Sequence, residues 1–581
     1  MARRWSASFW LWPCFFLFLW EVLLLAQNLG LMSDDSGEMV AAAYRLGLPH
    51  PPGYPLLNLA GHLFLFLPVG TPAFRFNLLA ELLALGSLFL ILECCRSCNR
   101  FLGLDKMRLE LGLGLMAVVF TASRCVFSQS LTAKGCVYLM TLLFVSFLSW
   151  ASSLGKSSSR FIFLGWFLWA MGMANHWQTQ ILCLPFLFYW TGKMKPRTRL
   201  KSAALAASFA ILGLSLYLYL PLRALSGCQP YWGLPTTLQG FYWVVSRQLV
   251  RGSENWVQPL SFYFHSAQWI FKTAVMDWLP GFFLFAAAGV GVLWKKEREF
   301  LFSLLLLSLP IFFAVGMVHE ERNQYLVPVY LVSLSGVAVI LGFAGLTWFL
   351  EMVSRKRIVQ WIFLLLMSAG ALIWMVKIFQ TEDRSRYTLA EDFGTNVLMG
   401  EPKNALLLAD GDHYVMSVWY EQYVRGLRPD VIFEPSIFLY HGWGWKHLAD
   451  RSGELQRALD VSPLFIDRLK ILTEQSNNHP LYYSLGQEFL GESFEKVPGH
   501  WTPMGLAYAW SLAEPKAVEW AGRSVMLLDH QRFRGLADPD LAEGIDFSTR
   551  QIYRYYAEEH YLSAHFLESL SGVRGASPAI K

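Results

Sequence analysis

A run of three carboxylates within five residues is the densest chemical signal in this chain of 581 residues. The acidic run, Asp34-Asp35-Ser36-Gly37-Glu38, follows directly on an apolar stretch. Carboxylates take up protons or hold divalent cations, and beside hydrocarbon they are costly unless they are solvated, paired or used. We therefore interpret the acidic run as a candidate reaction site. The alternative is a solvated helix cap, since Asp or Ser before Gly-Glu also satisfies free backbone N–H groups.

A stiff turn with a histidine comes next, in the run His50-Pro51-Pro52-Gly53-Tyr54-Pro55. Its prolines fix φ, and Gly53 allows another part of the backbone to approach closely. A structural turn explains the prolines, but it does not explain the histidine beside them. The sequence therefore adds His50 to the candidate site.

Membrane helices must position these residues. The chain is 54% hydrophobic and only 16% charged, so a purely soluble protein, with about 25% charged residues, is excluded. Apolar runs of about 17–25 residues predict a polytopic α-helical membrane protein rather than a barrel of short alternating strands. We predict about eleven spans, at roughly 9–27, 74–92, 109–122, 136–150, 161–175, 178–191, 203–221, 279–294, 299–318, 326–350 and 358–380. A shorter apolar piece near 56–69 is expected to lie in the interface or to re-enter.

The orientation follows from the basic loops, because Lys and Arg in short loops stay in the cytoplasm. If the N-terminus is cytoplasmic, all the strongly basic loops lie on the cytoplasmic side. These loops are Arg96 to Arg108, Lys156 with Arg160, Lys193 to Lys201, Lys295 to Arg298 and Arg355 to Arg357. The same orientation places outside the first external loop, 28–73, and a long external loop, 222–278. Polar groups at membrane depth usually serve a site, so these external segments predict one shared cavity.

The charge balance divides the chain into two predicted domains. Residues 1–380 hold about 29 basic and 15 acidic side chains, whereas residues 381–581 hold about 19 and 28. A basic transmembrane domain therefore precedes an acidic, soluble, extracytoplasmic domain, with no indication of nucleic-acid binding.

The second domain is predicted to have a small α/β fold, because its apolar runs follow a β–turn–helix–β order. We expect strands at 405–409, 431–433 and 480–484, and an amphipathic helix at about 549–572. Asp410 and Asp412 follow the first strand, where α/β sheets often bind ligands. A helix cap is the alternative for this pair.

The acidic run and the turn together resemble the opening signature of the transmembrane protein O-mannosyltransferase family. This family belongs to the GT-C glycosyltransferase superfamily and includes the animal enzyme for plexin-type receptors and bacterial relatives. Further pieces resemble the family in the expected order: Ser128-Gln129-Ser130, Lys134 to Tyr138, Gly172 to His176, Tyr219 to Arg223, Trp232-Gly233, Arg322 and Tyr325 with Pro328, and Asp383-Arg384-Ser385. The resemblance covers most of residues 28–435. One departure is Lys134, which stands where many relatives carry an acid.

The resemblance implies an inverting transfer, in which a hydroxyl of the acceptor attacks the anomeric carbon of a lipid-phosphate sugar and the polyprenyl phosphate leaves. Asp35 matches the acidic position of the family and is the expected base. Asp34 is the alternative, since spacing does not separate adjacent acids. Glu38, about one helical turn away, is expected to orient the acceptor or to shift the pKa of the base.

Cations and rings are expected to hold the donor and the acceptor. The expected phosphate contacts are Arg322, His50, Lys134 and His176, and the expected sugar or acceptor contacts are Tyr54, Trp232 and Gly53. Three of these residues have alternatives without a functional role: a salt bridge to neighbouring glutamates for Arg322, a structural role for His176, and a place in an aromatic membrane belt for Trp232. No cofactor is expected, because the resembled enzymes are generally taken to need no metal; a divalent metal held by the acidic run is the alternative.

The sequence thus predicts a membrane glycosyltransferase that moves a sugar, expected to be mannose, from a polyprenyl phosphate to a Ser or Thr hydroxyl of an extracytoplasmic protein. The lipid-linked donor, the protein acceptor and the bilayer are its expected partners. A multi-pass transporter or lipid flippase is the alternative, although it should show paired internal repeats. A receptor with an external sensing domain is a third. We expect a bacterial inner membrane, with the ER membrane as the alternative.

Overall fold

The computed structural model describes residues 7–155, 159–193, 199–249, 260–317, 327–353, 356–452, 465–474, 479–484, 497–514, 516–532, 534 and 547–571. This described part is mostly helical and holds one five-stranded sheet. Up to residue 385 the helices are α1 (Ala7–Ala26), α2 (Ser36–Arg45), α3 (Pro55–Phe64), α4 (Pro72–Leu102), α5 (Lys106–Thr121), α6 (Arg124–Ser130), α7 (Gly135–Ser153), α8 (Ser159–Gln180), α9 (Leu184–Gly192), α10 (Arg199–Leu214), α11 (Tyr219–Leu225), α12 (Leu238–Val245), α13 (Leu260–Asp277), α14 (Phe282–Lys296), α15 (Arg298–Met317), α16 (Val327–Val353) and α17 (Arg357–Glu382). The later elements are α18 (Leu389–Gly400), β1 (Leu406–Ala409), α19 (Asp412–Trp419), β2 (Ile432–Pro435), α20 (Gly442–Ser452), α21 (Phe465–Glu474), β3 (Leu481–Ser484), β4 (His500–Met504), β5 (Ala507–Ser511), α22 (Ala517–His530) and α23 (Phe547–Ser571).

Within the residues that the structure describes, each predicted span overlaps one or more helices. By length and composition, five helical segments of the described part are suited to cross a membrane, namely α4, α7, α17 and the stretches Leu200–Leu225 and Leu331–Val353. The number is up to seven if each of two bent pairs counts as one span. The figure of eleven crossings therefore stays a prediction.

Two of the predicted spans belong to bent pairs rather than to single rods. Helices α5 and α6 meet at 65°, and the end of α13 meets α14 at 112°. Pro280 and Gly281 lie at the second bend, where Gly281 has a φ of +82°. Proline lacks the N–H that a continuing helix needs, and glycine accepts the left-handed conformation. These two residues therefore account for the break between α13 and α14.

The long external loop predicted at 222–278 is not irregular throughout. It contains α12 and all 18 residues of α13, so helices account for much of its described part. The sequence predicts no span in this segment, because the mixed aromatic and polar residues of α13 give no apolar run long enough for one.

Close helix packing in the first part of the chain depends on small residues. A Cβ atom at Gly289 of α14 would overlap the Leu341 carbonyl oxygen of α16, and one at Gly345 of α16 would overlap the Phe285 carbonyl oxygen of α14. The two backbones therefore touch, as in membrane helix pairs that associate through glycine rather than through large apolar side chains.

The chain folds into two compact units, and neither is continuous in sequence. Unit 1 comprises Met1–Leu29, Leu48–Gly227 and Pro235–Ser385. Unit 2 comprises Gly30–Gly47, Cys228–Leu234 and Arg386–Lys581. The sequence-based division is a single boundary between residues 380 and 381. The observed division differs from it, because α2 and a piece of the long external loop pack with the C-terminal part.

The sheet of unit 2 has the strand order β2-β1-β3-β5-β4. Strands β2, β1 and β3 are parallel, and β5 and β4 continue the sheet antiparallel. The first three strands lie at the segments where the sequence predicts them, whereas β4 and β5 were not predicted. Side chains of β1 and β3 pack with Trp445, Leu448 and Leu469 in a buried core, as expected for strands covered by helices.

Unit 2 contains a carboxyl group that makes its stability depend on pH. Burial raises the pKa of Glu401 from 4.5 to about 8, although Arg523 and Arg428 pull it down. A carboxyl whose pKa rises on folding stabilises the folded state fully below about pH 4.5 and loses this contribution as the pH rises through 8. Glu401 is 6% exposed, so water screens this effect little.

We expect Glu401→Gln to stabilise the protein by roughly 1–3 kcal/mol at pH 8.5 and to change it little at pH 5, because the neutral amide needs no proton. The apparent melting temperature of the full chain in detergent, followed by tryptophan fluorescence at both pH values, measures the effect. Glu514→Gln, at an exposed position of the same unit, is the control. An equal loss of stability at pH 5 and pH 8.5 would contradict the prediction.

Candidate active site

The carboxylates of the acidic run lie at the start of α2, within unit 2. Asp35 is the N-cap residue of this helix, and its carbonyl oxygen accepts the first helical hydrogen bond, from the Met39 N–H at 3.0 Å. Asp34 precedes it with a φ of +69°. Glu38 lies in the first helical turn, as the spacing predicts, and is 0% exposed. Asp34 and Asp35 are half-buried, so these two remain accessible to a substrate.

The glycine of the acidic run has a packing role. A Cβ atom at Gly37 would overlap the carbonyl oxygen of Met416 in α19. Only a residue without a side chain lets α2 lie this close to α19, which explains why a glycine stands between the carboxylates. The segment after α19, Tyr420–Val424, is a π-helical turn, a feature often found beside functional sites.

Trp232 lies in the short segment of unit 2 that comes from the long external loop. Its ring meets Phe438 and Trp419 edge-on, with ring centroids 4.9 and 6.0 Å apart, and the residue is 5% exposed. This packing is that of a ring anchored in the core of unit 2. A role in contacting the sugar stays a prediction.

Neighbouring residues fasten the same segment through a buried ionic group that the sequence did not reveal. His447 Nδ1 lies 2.8 Å from the Glu434 carboxylate, and its Nε2 lies 3.2 Å from Gln229. Arg451 donates to the same carboxylate at 3.3 Å, and the Tyr231 ring stands edge-on to His447. Because Glu434 is 0% exposed and shared by two partners, the group holds the 228–234 segment in register.

Asp410 and Asp412 lie at the carboxyl end of β1, as predicted. The Asp410 carboxylate accepts a hydrogen bond from the Tyr483 hydroxyl at 2.6 Å, and its backbone N–H donates to Ser484 at 2.9 Å. Asp412 is the first residue of α19. The N-cap residue of α19 is Gly411, so neither aspartate is the N-cap residue itself, and Asp410 ties β1 to β3.

The predicted turn lies in unit 1. The His50 and Tyr54 side chains approach within 3.1 Å, between Nε2 and the hydroxyl, and the Pro51-Pro52 peptide bond is cis. Gly53 has a φ of +91°, and a Cβ atom there would lie 2.7 Å from the Leu220 side chain. The positive φ favours glycine at this position, and a side chain there would also have to displace the end of the Leu220 side chain.

His176 lies near the end of α8, at a break in the helix where its φ is −137° and its ψ is +84°. Its Nδ1 is 3.0 Å from the Thr179 hydroxyl, and its ring packs against Tyr138. His50 and Arg247 lie within electrostatic range of this histidine. The structure thus brings together two of the predicted phosphate contacts, His50 and His176, and adds Arg247.

Arg247 is a residue that the sequence did not single out. It has a φ of +56°, and its Nε donates at 3.2 Å to the side-chain oxygen of Gln178 when that amide is oriented to satisfy both groups. The nearby Trp177 indole donates to the Val245 carbonyl at 2.8 Å, which docks the end of α12 on α8. The sequence signal that could have pointed to Arg247 is a single arginine that follows an aromatic run in a long polar loop.

The other two predicted phosphate contacts are less defined. Lys134 is the half-buried residue before α7 in unit 1. Arg322 lies outside the described residues. Among the residues that the structure describes, no group of three or more His, Cys, Asp or Glu side chains is placed to hold a metal ion. The expectation of no cofactor stays a prediction.

Comparison with known proteins identifies relatives of this chain. The family model of the protein O-mannosyl-transferase TMEM260 N-terminal domain matches residues 35–199, so the match begins at Asp35. The mouse protein O-mannosyl-transferase TMEM260 is 26% identical over 458 residues, covering 73% of this chain and 62% of the relative. The Dictyostelium discoideum protein O-mannosyl-transferase tmem260 is 23% identical, covering 72% of this chain and 56% of the relative. The chain therefore spans less than two thirds of the length of these relatives.

Two solved structures show the same fold. ArnT from Cupriavidus metallidurans bound to undecaprenyl phosphate has a TM-score of 0.51 at 14% identity, and the match covers 88% of this chain and all of that chain. The apo state of the same protein gives the same TM-score at 12% identity, with the same coverage. The predicted resemblance to the transmembrane O-mannosyltransferases of the GT-C superfamily is confirmed, as is the GT-C-like helical fold.

Proposed function

We propose that this protein is a membrane glycosyltransferase that moves a sugar, expected to be mannose, from a polyprenyl phosphate to a Ser or Thr hydroxyl of an extracytoplasmic protein. The match of the O-mannosyltransferase family model to residues 35–199 carries the proposal, because it begins within the acidic run and includes the turn and Lys134. The names of the mouse and Dictyostelium relatives support the protein acceptor and the sugar. The undecaprenyl phosphate bound to ArnT supports the class of donor.

The proposed reaction is a single displacement with inversion. The oxygen of the acceptor hydroxyl forms a bond to the anomeric carbon, the bond between that carbon and the phosphate oxygen breaks, and the polyprenyl phosphate leaves with the electron pair. The hydroxyl proton passes to a carboxylate, and we assign this base to Asp35, with Asp34 as the alternative. Buried Glu38 is assigned to orient the acceptor or to shift the pKa of the base.

Unit 1 supplies the groups proposed for the donor. His50 and His176 lie within electrostatic range of each other, and Arg247 joins them, so a phosphate there would meet several hydrogen-bond donors. Lys134 and Arg322 keep their proposed phosphate roles. Tyr54, Gly53 and Trp232 are proposed to contact the sugar or the acceptor.

The proposed membrane arrangement has about eleven spans, a cytoplasmic N-terminus and an extracytoplasmic α/β domain. It follows from the phase of the basic loops. A bacterial inner membrane is the proposed location, and the ER membrane, which has the same orientation relative to the cytoplasm, is the alternative.

Sugar transfer in purified membranes tests the function. Membranes with the protein and matched membranes without it receive radiolabelled polyprenyl-phosphate-mannose and extracytoplasmic acceptor proteins. Protein-bound label that requires the chain, and that β-elimination releases, supports transfer to Ser or Thr. Label with glucose or another sugar in place of mannose would change the donor assignment. No transfer from any lipid-linked sugar would contradict the proposal and direct the next experiment to lipid transport.

A further inference from the structure

The loop that leads into the acidic run is held by residues from the far end of the chain, all within unit 2. We propose that Glu391 and Thr549 are positioning residues for the acidic run, an inference that rests on the proposed function. Neither residue belongs to the part matched by the family model, and neither was singled out by the sequence. Two separate contacts lead to this conclusion.

The first contact joins the loop to α18. Glu391 Oε1 accepts a hydrogen bond from the Leu31 N–H at 3.1 Å. A Cβ atom at Gly30 would overlap the same carboxylate, so the glycine allows the acid to reach the backbone. Leu31 is 1% exposed. A hydrogen bond to a charged acceptor is about twice as strong as a neutral one, and here it fixes the backbone three residues before Asp34.

The second contact joins the loop to α23. Thr549 donates its hydroxyl proton to the Tyr387 hydroxyl at 3.1 Å. Ser33 Oγ lies 3.3 Å from Thr549 Oγ1, so Ser33 acts as the donor in that pair. All three side chains are buried, with exposed fractions of 4–5%. This chain of hydroxyls ends on the residue that immediately precedes Asp34.

Both contacts restrain a backbone that needs restraint. Asp34 has a left-handed φ of +69°, a conformation that costs an L residue free energy and persists where surrounding contacts hold it. Its conformation sets where the Asp34 and Asp35 carboxylates point. A displacement of about 1 Å in a reacting group lowers catalysis by about 100-fold. Glu391 and Thr549 therefore act on the rate through the acidic run, without touching substrate.

Paired variants separate positioning from simple packing. Glu391→Gln keeps an acceptor for the Leu31 N–H, whereas Glu391→Ala removes it. Thr549→Ser keeps the hydroxyl, whereas Thr549→Val removes it at nearly constant shape. In the purified full chain, we expect Ala and Val to lower kcat by about 10- to 100-fold with KM changed less than about threefold. Gln and Ser are expected to retain at least about a third of the activity. Glu514→Ala, at an exposed position, is the matched control.

A readout independent of activity is hydrogen exchange in the peptide that contains Leu31. We expect Glu391→Ala to accelerate its exchange by about tenfold and to leave β1 unchanged. Unchanged exchange at Leu31, or an unchanged kcat in both Glu391→Ala and Thr549→Val, would overturn the proposal. So would a Gln variant as impaired as the Ala variant. If the wild type transfers no sugar, the proposed function fails, and hydrogen exchange alone then decides whether the two residues hold the loop.

Discussion

Asp35→Asn is expected to lower the rate of sugar transfer by about 10²- to 10⁴-fold, because an amide does not take up the proton of the acceptor hydroxyl. The variant should fold, since Asn is as good an N-cap residue as Asp and the Met39 N–H bonds to the backbone of residue 35 rather than to its side chain. Initial rates with labelled donor and acceptor, at matched amounts of protein in membranes, measure the loss.

Asp34→Asn is the matched comparison. Asn tolerates the left-handed conformation of residue 34 as Asp does, so neither exchange should disturb the backbone. If Asp35 is the base, Asp34→Asn should cost less than about tenfold. The reverse order of the two losses would assign the base to Asp34. Activity preserved in both variants would remove the acidic run from the proton transfer.

Gly37→Ala is expected to lower transfer by about 100-fold or more, although it adds only one methyl group and removes no charge. The new Cβ would overlap the Met416 carbonyl oxygen, and a backbone atom of a packed helix moves only together with its helix. The N-terminus of α2 must then shift, and a shift of about 1 Å displaces both aspartates from the positions that the proposed reaction requires. We also expect a loss of about 1–3 kcal/mol in stability.

Gly522→Ala is the control for this variant. It lies in α22 of the same unit, where an added Cβ would meet nothing within 4 Å, so a small gain in stability and normal transfer are expected. The measurement pairs transfer rates with apparent melting temperatures for both alanine variants. Full activity in Gly37→Ala would show that the close contact of α2 with α19 is not required.

Local patterns were enough to predict most elements of the fold. Apolar length predicted helices where α4, α7, α16 and α17 lie, and short buried runs between turn residues predicted β1, β2 and β3. The hairpin of β4 and β5 was missed, because the run from His500 to Ser511 mixes aromatic, polar and small residues without a clear alternation.

The composition of unit 2 could not be predicted in the same way. Its acidic run, its Trp232 segment and its sheet are far apart in sequence, and no periodic pattern links Gly37 to Met416 or Gln229 to His447. Such contacts depend on the size and shape of a single side chain, such as the missing side chain of a glycine or the ring of a buried histidine. The position of Arg247 near His176 could not be predicted either, because an arginine in a polar loop gives no sequence signal of the residues that the fold places around it.

The discontinuity of unit 2 has a consequence for how the chain matures during its synthesis. The hydrogen-bond partners Leu31 and Glu391 are 360 residues apart, and Ser33 and Thr549 are 516 apart. At about 5–20 residues per second, a ribosome needs roughly 20–70 s to deliver Glu391 after Leu31 has been made, and longer to deliver Thr549. During this interval α2 is without its partners, while helices of unit 1 are already being inserted. The acidic run therefore acquires its folded geometry among the last steps of biogenesis, and a nascent chain stalled before α18 carries this run without the contacts that hold it.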